Sequence, residues 1–323
     1  MSDVRKKLWE PSKEWIKNTE VTRFIKFVNK KYKQKIREGK ELYQWSIEKV
    51  EDFWSAMWDF GEIIASKRYD KVVENLNVFP GTKWFPGARL NFAENLLKYK
   101  DDQFAFIFQG ETKKTEIISY ANLYQEVARL AKSLRDCGAS VGDRIVSYLP
   151  NLIETPIAML ATTAIGAIWA SCGAELQASA VIDRFGQIKP KILFAVDGYY
   201  YRDKVFETIS NIKEVVDAIP SIEKVIVVSY ISDGKPDITS IPKAVHWDEF
   251  ISKEVEITLD FEQLPFDHPI YIMFSSGTTG KPKCMVQSAG GVLINHLKEL
   301  ILSTDLKRSD VINYITAPSW MMV

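Results

Sequence analysis

The feature that most limits how this chain can fold is the stretch Met273-Phe274-Ser275-Ser276-Gly277-Thr278-Thr279-Gly280-Lys281-Pro282-Lys283. The run Pro269–Phe274 before it is short, apolar, β-branched and aromatic, which reads as a buried strand. Then come small or hydroxylated residues only, two of them glycine, and none can pack a core. They offer backbone N–H groups, hydroxyls and a lysine at the end. That set suits an anion of several oxygens, with glycine where the backbone must come close. A plain surface loop is the bland alternative, but no turn needs so many hydroxyls followed by Lys-Pro-Lys. A Walker-type loop would need Gly-Lys followed by Ser or Thr opening a helix. Here Pro282 comes next, and proline has no N–H to present to phosphate. The stretch reads as a phosphate-gripping loop of another kind, sitting between strands.

Ser275 through Lys283 resembles the phosphate loop of the adenylate-forming enzymes: acyl-CoA synthetases, peptide-synthetase adenylation domains and luciferases. Cys284 stands where most of that superfamily has glycine, and cysteine there resembles the acetoacetyl-CoA synthetases. Trp84-Phe85-Pro86-Gly87-Ala88-Arg89-Leu90-Asn91-Phe92-Ala93-Glu94-Asn95-Leu96-Leu97 is similar to a signature of the acetyl- and acetoacetyl-CoA synthetase branch. So are Tyr148–Asn151, Glu154, Pro156 through Cys172, and Asp183 through Lys191. Three departures stand out. Gly173-Ala174-Glu175-Leu176 replaces the usual Ser-Pro-Asp-Phe, Gln287 stands where relatives carry histidine, and Tyr199-Tyr200-Tyr201-Arg202-Asp203-Lys204 lacks the usual Asn-Gly. The last reads as an exposed turn with packed tyrosines, a contact to CoA being the minority alternative.

Composition excludes some function classes. The 323 residues suffice for about two ordinary domains or one large α/β domain, and 46% hydrophobic residues supply a core. Forty-two basic and forty-two acidic residues cancel, so no global field points to nucleic acid or an anionic membrane. The basic residues Arg23, Lys26, Lys30, Lys31, Lys33, Lys35, Arg37 and Lys40 read as the solvated face of an amphipathic helix, a phosphate patch being the minority alternative. Cys137, Cys172 and Cys284 read as buried, reduced thiols of a reducing compartment, with no zinc spacing. His246, His268 and His296 are isolated. The N-terminus has no apolar signal region. Pro156–Ala174 is uncharged, but Gly166 in its middle reads as a helix cap followed by a strand, not as a span of about twenty residues. The expected location is cytoplasmic.

The expected fold is α/β: an incomplete N-terminal domain of the adenylate-forming fold, mostly parallel sheets flanked by helices, with a helical N-terminal extension. The extension covers residues 1–100 and the AMP-binding domain 101–323. In the extension, Trp45, Phe53, Trp54, Met57, Trp58 and Phe60 make an aromatic stripe expected to dock the helices on the main body. Further on, 104–108, 144–149, 167–170, 192–196, 225–229 and 311–315 read as strands. Residues 119–137, 155–166, 177–188 and 203–218 read as helices, with Ser119 an N-cap. The repeated strand–helix order argues a parallel sheet.

The resemblance implies an acid–thiol ligase: a carboxylate attacks ATP to give an acyl-adenylate, and coenzyme A then takes the acyl group. It implies ATP, Mg²⁺ and CoA as ligands and acetoacetate as the acid. Ser275, Ser276, Gly277, Thr278, Thr279, Gly280 and Lys283 would cradle the β- and γ-phosphates, with Lys281 exposed. Ala317-Pro318-Ser319-Trp320-Met321-Met322 is similar to a segment lining the acyl pocket, so Trp320 would wall it, a core role being the equal alternative. No catalytic residue is assigned, because the family's catalytic lysine belongs to a C-terminal domain beyond Val323, as do the adenine, ribose and Mg²⁺ contacts. The chain is expected to be the N-terminal half of such a ligase, weak or inactive alone, with a separate chain carrying the other half as an open partner. Two alternatives stay open: a non-catalytic remnant or interaction module, and a synthetase for another short-chain acid.

Overall fold

The computed structural model describes residues 8–111, 115–275 and 280–320. It divides into two compact units: Met1–Ile63, Tyr69–Pro86 and Gly291–Asn313 form one, and Ile64–Arg68, Gly87–Gly290 and Tyr314–Val323 the other.

The first unit is built from helices α1 (Lys13–Asn18), α2 (Glu20–Tyr32), α3 (Gly39–Glu48) and α4 (Val50–Phe60), with a ribbon of β1 (Val73–Glu74) and β2 (Lys83–Trp84). Ser12 and Thr19 cap α1 and α2, accepting from the backbone N–H groups of Trp15 and Thr22. On α2, Phe24, Ile25 and Val28 are buried while Arg23, Lys26, Lys30 and Lys31 are exposed, the solvated face read from the sequence; Lys33, Lys35, Arg37 and Lys40 are exposed too, but lie beyond the end of α2, so the basic run is not one helix face. The aromatic stripe finds partners within this unit. Phe24 packs on Phe53 and Phe60, Trp54 on Trp84, and Trp58 on Tyr69 and Phe85, with centroids 5.0–6.1 Å apart. Helix ends at Phe60, sooner than the composition of the first 75 residues suggested.

The second unit opens with β3 (Arg89–Leu90) and α5 (Phe92–Leu96), then a hairpin of β4 (Phe104–Phe108) and β5 (Glu116–Ser119). Ser119 caps α6 (Tyr120–Asp136), accepting from Asn122 N–H. The main sheet comes next: β6 (Arg144–Tyr148), α7 (Glu154–Ala164), β7 (Ile168–Cys172), α8 (Ala178–Phe185) and β8 (Ile192–Val196). After these lie the hairpin β9 (Gly198–Tyr201) and β10 (Lys204–Glu207), α9 (Ile209–Ala218), β11 (Lys224–Val228), β12 (Ala244–His246) and α10 (Trp247–Phe250). The last elements are β13 (Leu264–Pro265), which pairs with β3, then β14 (Pro269–Ser275) and β15 (Lys283–Ser288); α11 (Ala289–Lys298) follows, and from Gly291 on it is counted in the first unit.

The sheet runs β12-β11-β8-β6-β7-β14-β15, parallel throughout except for β15. Its central strands are apolar on both faces because helices cover both. Ile145, Trp169, Ile192, Phe194 and Ile226 pack with α6 and α7, while Val146, Tyr148, Leu193, Ala195 and Val227 pack with α8 and α9. Gly166, at φ +77°, ends α7 in the left-handed region, and Ala167 N–H closes the turn on Thr162 O.

Three expectations from the sequence need correction. The helix read over 203–218 begins only at Ile209. Before it, Tyr199, Tyr200 and Tyr201 pair with Phe206, Val205 and Lys204 around a turn in which Arg202 and Asp203 take φ 53° and 60°. The helix read over 177–188 stops at Phe185, ahead of Gly186. Residues 311–315, read as a strand, have no regular structure, and Val311 and Ile315 are 82% and 95% exposed. No helix among the described residues is long and apolar enough to cross a membrane.

Candidate functional site

In an open parallel sheet, ligands bind outside the carboxyl ends of the strands. β14 and β15 pair antiparallel, so the Ser/Thr/Gly stretch of the sequence joins the carboxyl end of β14 to β15 at that edge. The loop thus leads into a strand and not a helix, which agrees with rejecting a Walker loop. The ladder fixes the base: Ser275 lies opposite Lys283, Phe274 opposite Cys284 and Met273 opposite Met285. Ser276, Gly277, Thr278 and Thr279 lie outside the described residues. Of the predicted phosphate-binding set, Ser275, Gly280 and Lys283 are placed. Gly280 sits at φ +84°, a conformation only glycine adopts without strain, and among the described residues no atom outside its immediate chain neighbours lies within 4 Å of where a Cβ would be. Gly280, Lys281 and Lys283 are exposed.

The two lysines differ in charge environment. Lys281 Nζ lies 3.2 Å from Asp183 Oδ1 on α8. Among the described residues, no carboxylate pairs with Lys283. Among those residues, then, Lys283 is the loop's uncompensated cation, directly across the ladder from Ser275. Cys284 is exposed and Cys137 half-buried; only Cys172 is buried, which corrects the reading of three buried thiols. Burial pushes the Cys172 thiol up to about 12, and partial burial also raises Cys284, so neither is an activated nucleophile near neutral pH.

Neighbouring segments meet the same edge. After β7, the departure Gly173–Leu176 forms a turn closed by Leu176 N–H on Gly173 O, and the buried Tyr148 hydroxyl donates to Leu176 O. Asn151, after β6, donates to Thr316 O at 2.8 Å, and Ser171, on β7, donates to Pro318 O at 2.5 Å. These bonds bring 316–318 to the carboxyl edge. Trp320 lies two residues beyond Pro318 and is 63% exposed, so it is no part of the core. Met321 and Met322 lie outside the described residues. The histidines sit elsewhere: His268 contacts Gly166 O at the amino edge of the sheet, His246 precedes α10, and His296 lies on α11.

The Trp84–Leu97 signature has a structural role that sequence reasoning missed. Asn91 is buried, and its Nδ2 donates to Thr163 O, Ala164 O and Glu262 O at 2.9–3.1 Å, taking up carbonyls that end α7. Its Oδ1 accepts from Glu94 N–H and so caps α5. The pattern Asn-x-x-Glu before an apolar run was the available signal.

The chain belongs to the AMP-binding enzymes: the model of that family matches residues 92–323, and that of the acetyl-coenzyme A synthetase N-terminus matches 39–96. Within that class its relatives include the acetoacetyl-CoA synthetases. It is 42% identical over 322 residues to that of Gallus gallus, matching 98% of this chain and 48% of the relative. The solved acetoacetyl-CoA synthetase from Streptomyces lividans superposes with a TM-score of 0.92 at 36% identity, covering 98% of this chain and 48% of that one. The malonamoyl-CoA synthetase vrtB of Penicillium aethiopicum is 36% identical over 327 residues, 98% of this chain and 45% of the relative. The chain thus spans about half the length of the curated relatives it matches.

Proposed function

We propose that this chain grips the triphosphate of ATP for an acid–thiol ligase that joins acetoacetate to coenzyme A through an acyl-adenylate. The observation that carries the reading is the hairpin base at the carboxyl edge of the sheet. There Ser275 lies opposite Lys283, which has no carboxylate partner among the described residues. Hydroxyls, backbone N–H groups and one ammonium match phosphate oxygens. Ser276, Gly277, Thr278 and Thr279 would complete the cradle. Mg²⁺, which the resemblance implies, would bind with ATP through its phosphate oxygens. Its charge would neutralise the leaving pyrophosphate. Trp320, beside the tethered 316–318 segment, would line the acyl pocket.

A specific observation favours a second reading of the acid. Acetoacetate and malonamate share a carbonyl two carbons from the carboxylate, and the chain resembles synthetases for both. The test is calorimetric titration of the chain with ATP and with inorganic tripolyphosphate. Saturable binding of both, weakened roughly 10- to 150-fold in Lys283→Ala, supports the polyphosphate grip. Binding of neither sinks it. Competition for coupling between acetoacetate and malonamate in the whole ligase would decide the acid.

A further inference from the structure

β15 is the outermost strand of the sheet, held on one side by β14 and on the other by no strand among the described residues. A phosphate loop whose outgoing arm were free to tilt would move its cation by ångströms. The structure shows what holds that arm. Gln187, in the turn after α8, donates through Nε2 to Pro282 O at 2.9 Å and to Asp183 O at 2.6 Å. Asp183, one helical turn earlier, pairs with Lys281 at 3.2 Å. Phe185, between them in sequence, packs on Phe274 of the incoming arm with centroids 6.2 Å apart. One short segment therefore touches both arms of the hairpin, at the residues that bracket the loop.

We propose that Gln187 is a positioning residue for the phosphate hairpin: by holding the Pro282 carbonyl it sets the direction in which Lys283 enters the site. Pro282 has no N–H, so its carbonyl is the only backbone hydrogen-bonding group it can offer. Asp183 has a complementary part. It occupies Lys281 at the flank, which leaves Lys283 as the cation that meets the anion. This inference rests on the hairpin being a polyphosphate grip.

The test uses the 323-residue chain, with inorganic tripolyphosphate as the probe and calorimetry as the readout, on wild type, Gln187→Ala, Lys283→Ala and the double variant. Gln187 is exposed, so its truncation leaves the core intact, and each unfolding midpoint is measured alongside. The expected result is an affinity about three- to tenfold lower in Gln187→Ala, as for loss of one hydrogen bond, with an unchanged midpoint. In the Lys283→Ala background the same change should cost less than about twofold, because Gln187 acts through that lysine. Wild-type affinity in Gln187→Ala, or losses that multiply in the double variant, would overturn the positioning role alone. A midpoint that falls together with affinity would also overturn it, since a merely structural role does that. No binding by wild type would instead remove the polyphosphate reading, and this inference with it.

Discussion

Lys281 and Lys283 are two residues apart, both exposed and both cationic, yet they should behave differently. Lys283 faces Ser275 across the hairpin base with no carboxylate partner among the described residues. A charge-assisted hydrogen bond from such a group is worth about 1.5–3 kcal/mol, so Lys283→Ala should weaken ATP or tripolyphosphate binding roughly 10- to 150-fold. Lys281 is held 3.2 Å from Asp183, and its side chain is 70% exposed. The Asp183 carboxylate offsets its charge, so Lys281→Ala should cost less than about fivefold, roughly 1 kcal/mol. Calorimetric titrations between about 0.05 and 0.5 M salt, roughly a threefold span of Debye length, would also separate the two. The wild-type affinity should fall with salt more steeply than that of Lys283→Ala, while Lys281→Ala should follow the wild type. If Lys281→Ala weakened binding as much as Lys283→Ala, the assignment of cations from ion pairing would be wrong.

Three further outcomes are expected. Asn91→Ala should lower stability by about 2–4 kcal/mol in urea unfolding, because carbonyls at the end of α7 lose a buried donor and α5 loses its cap; a change under about 0.5 kcal/mol would contradict that role. Burial lowers the pKa of His296 below its ordinary 6.5, so the unfolded chain binds the extra proton. Stability should therefore fall as pH drops from about 6.5 to the depressed folded value and level off below it, and His296→Gln should flatten that slope in midpoints taken between about pH 8 and 5. The purified chain should show no acetoacetate-dependent exchange of pyrophosphate into ATP, because one phosphate contact region supplies only part of the transition-state stabilisation. Robust exchange would show that this half of the ligase length carries more of the chemistry than its residues indicate.

Much of this fold was legible because its central strands are continuous apolar runs with covers on both faces, as at Ile192–Val196 and Val225–Val228. Ser119 and Gly166 were legible for a local reason: a side-chain cap and a left-handed turn depend on the residue itself. The failures have the opposite character. Val205 to Ser210 carries no period that separates strand from helix. The hairpin there depends on Arg202 and Asp203 taking positive φ, which neither residue advertises as glycine would. Val311–Ile315 has strand-like composition, but a strand exists only when paired, and its own residues do not name a partner. Cys284 was misjudged because an apolar neighbourhood in sequence became an exposed edge strand. At the site, the loop chemistry was readable and its support was not. The i, i+4 pair Asp183 and Gln187 acquires meaning only once α8 is seen against Lys281 and Pro282.

The ligase reading and the role of Gln187 both depend on a polyphosphate meeting the tip of the β14–β15 hairpin. Hydrogen–deuterium exchange of the chain with and without ATP tests this directly. Slowed exchange at the amides of Phe274, Ser275, Gly280, Lys281, Lys283 and Cys284, reproduced by inorganic tripolyphosphate alone, is the predicted result. Protection confined to another part of the chain, or none at any ATP concentration, would contradict it.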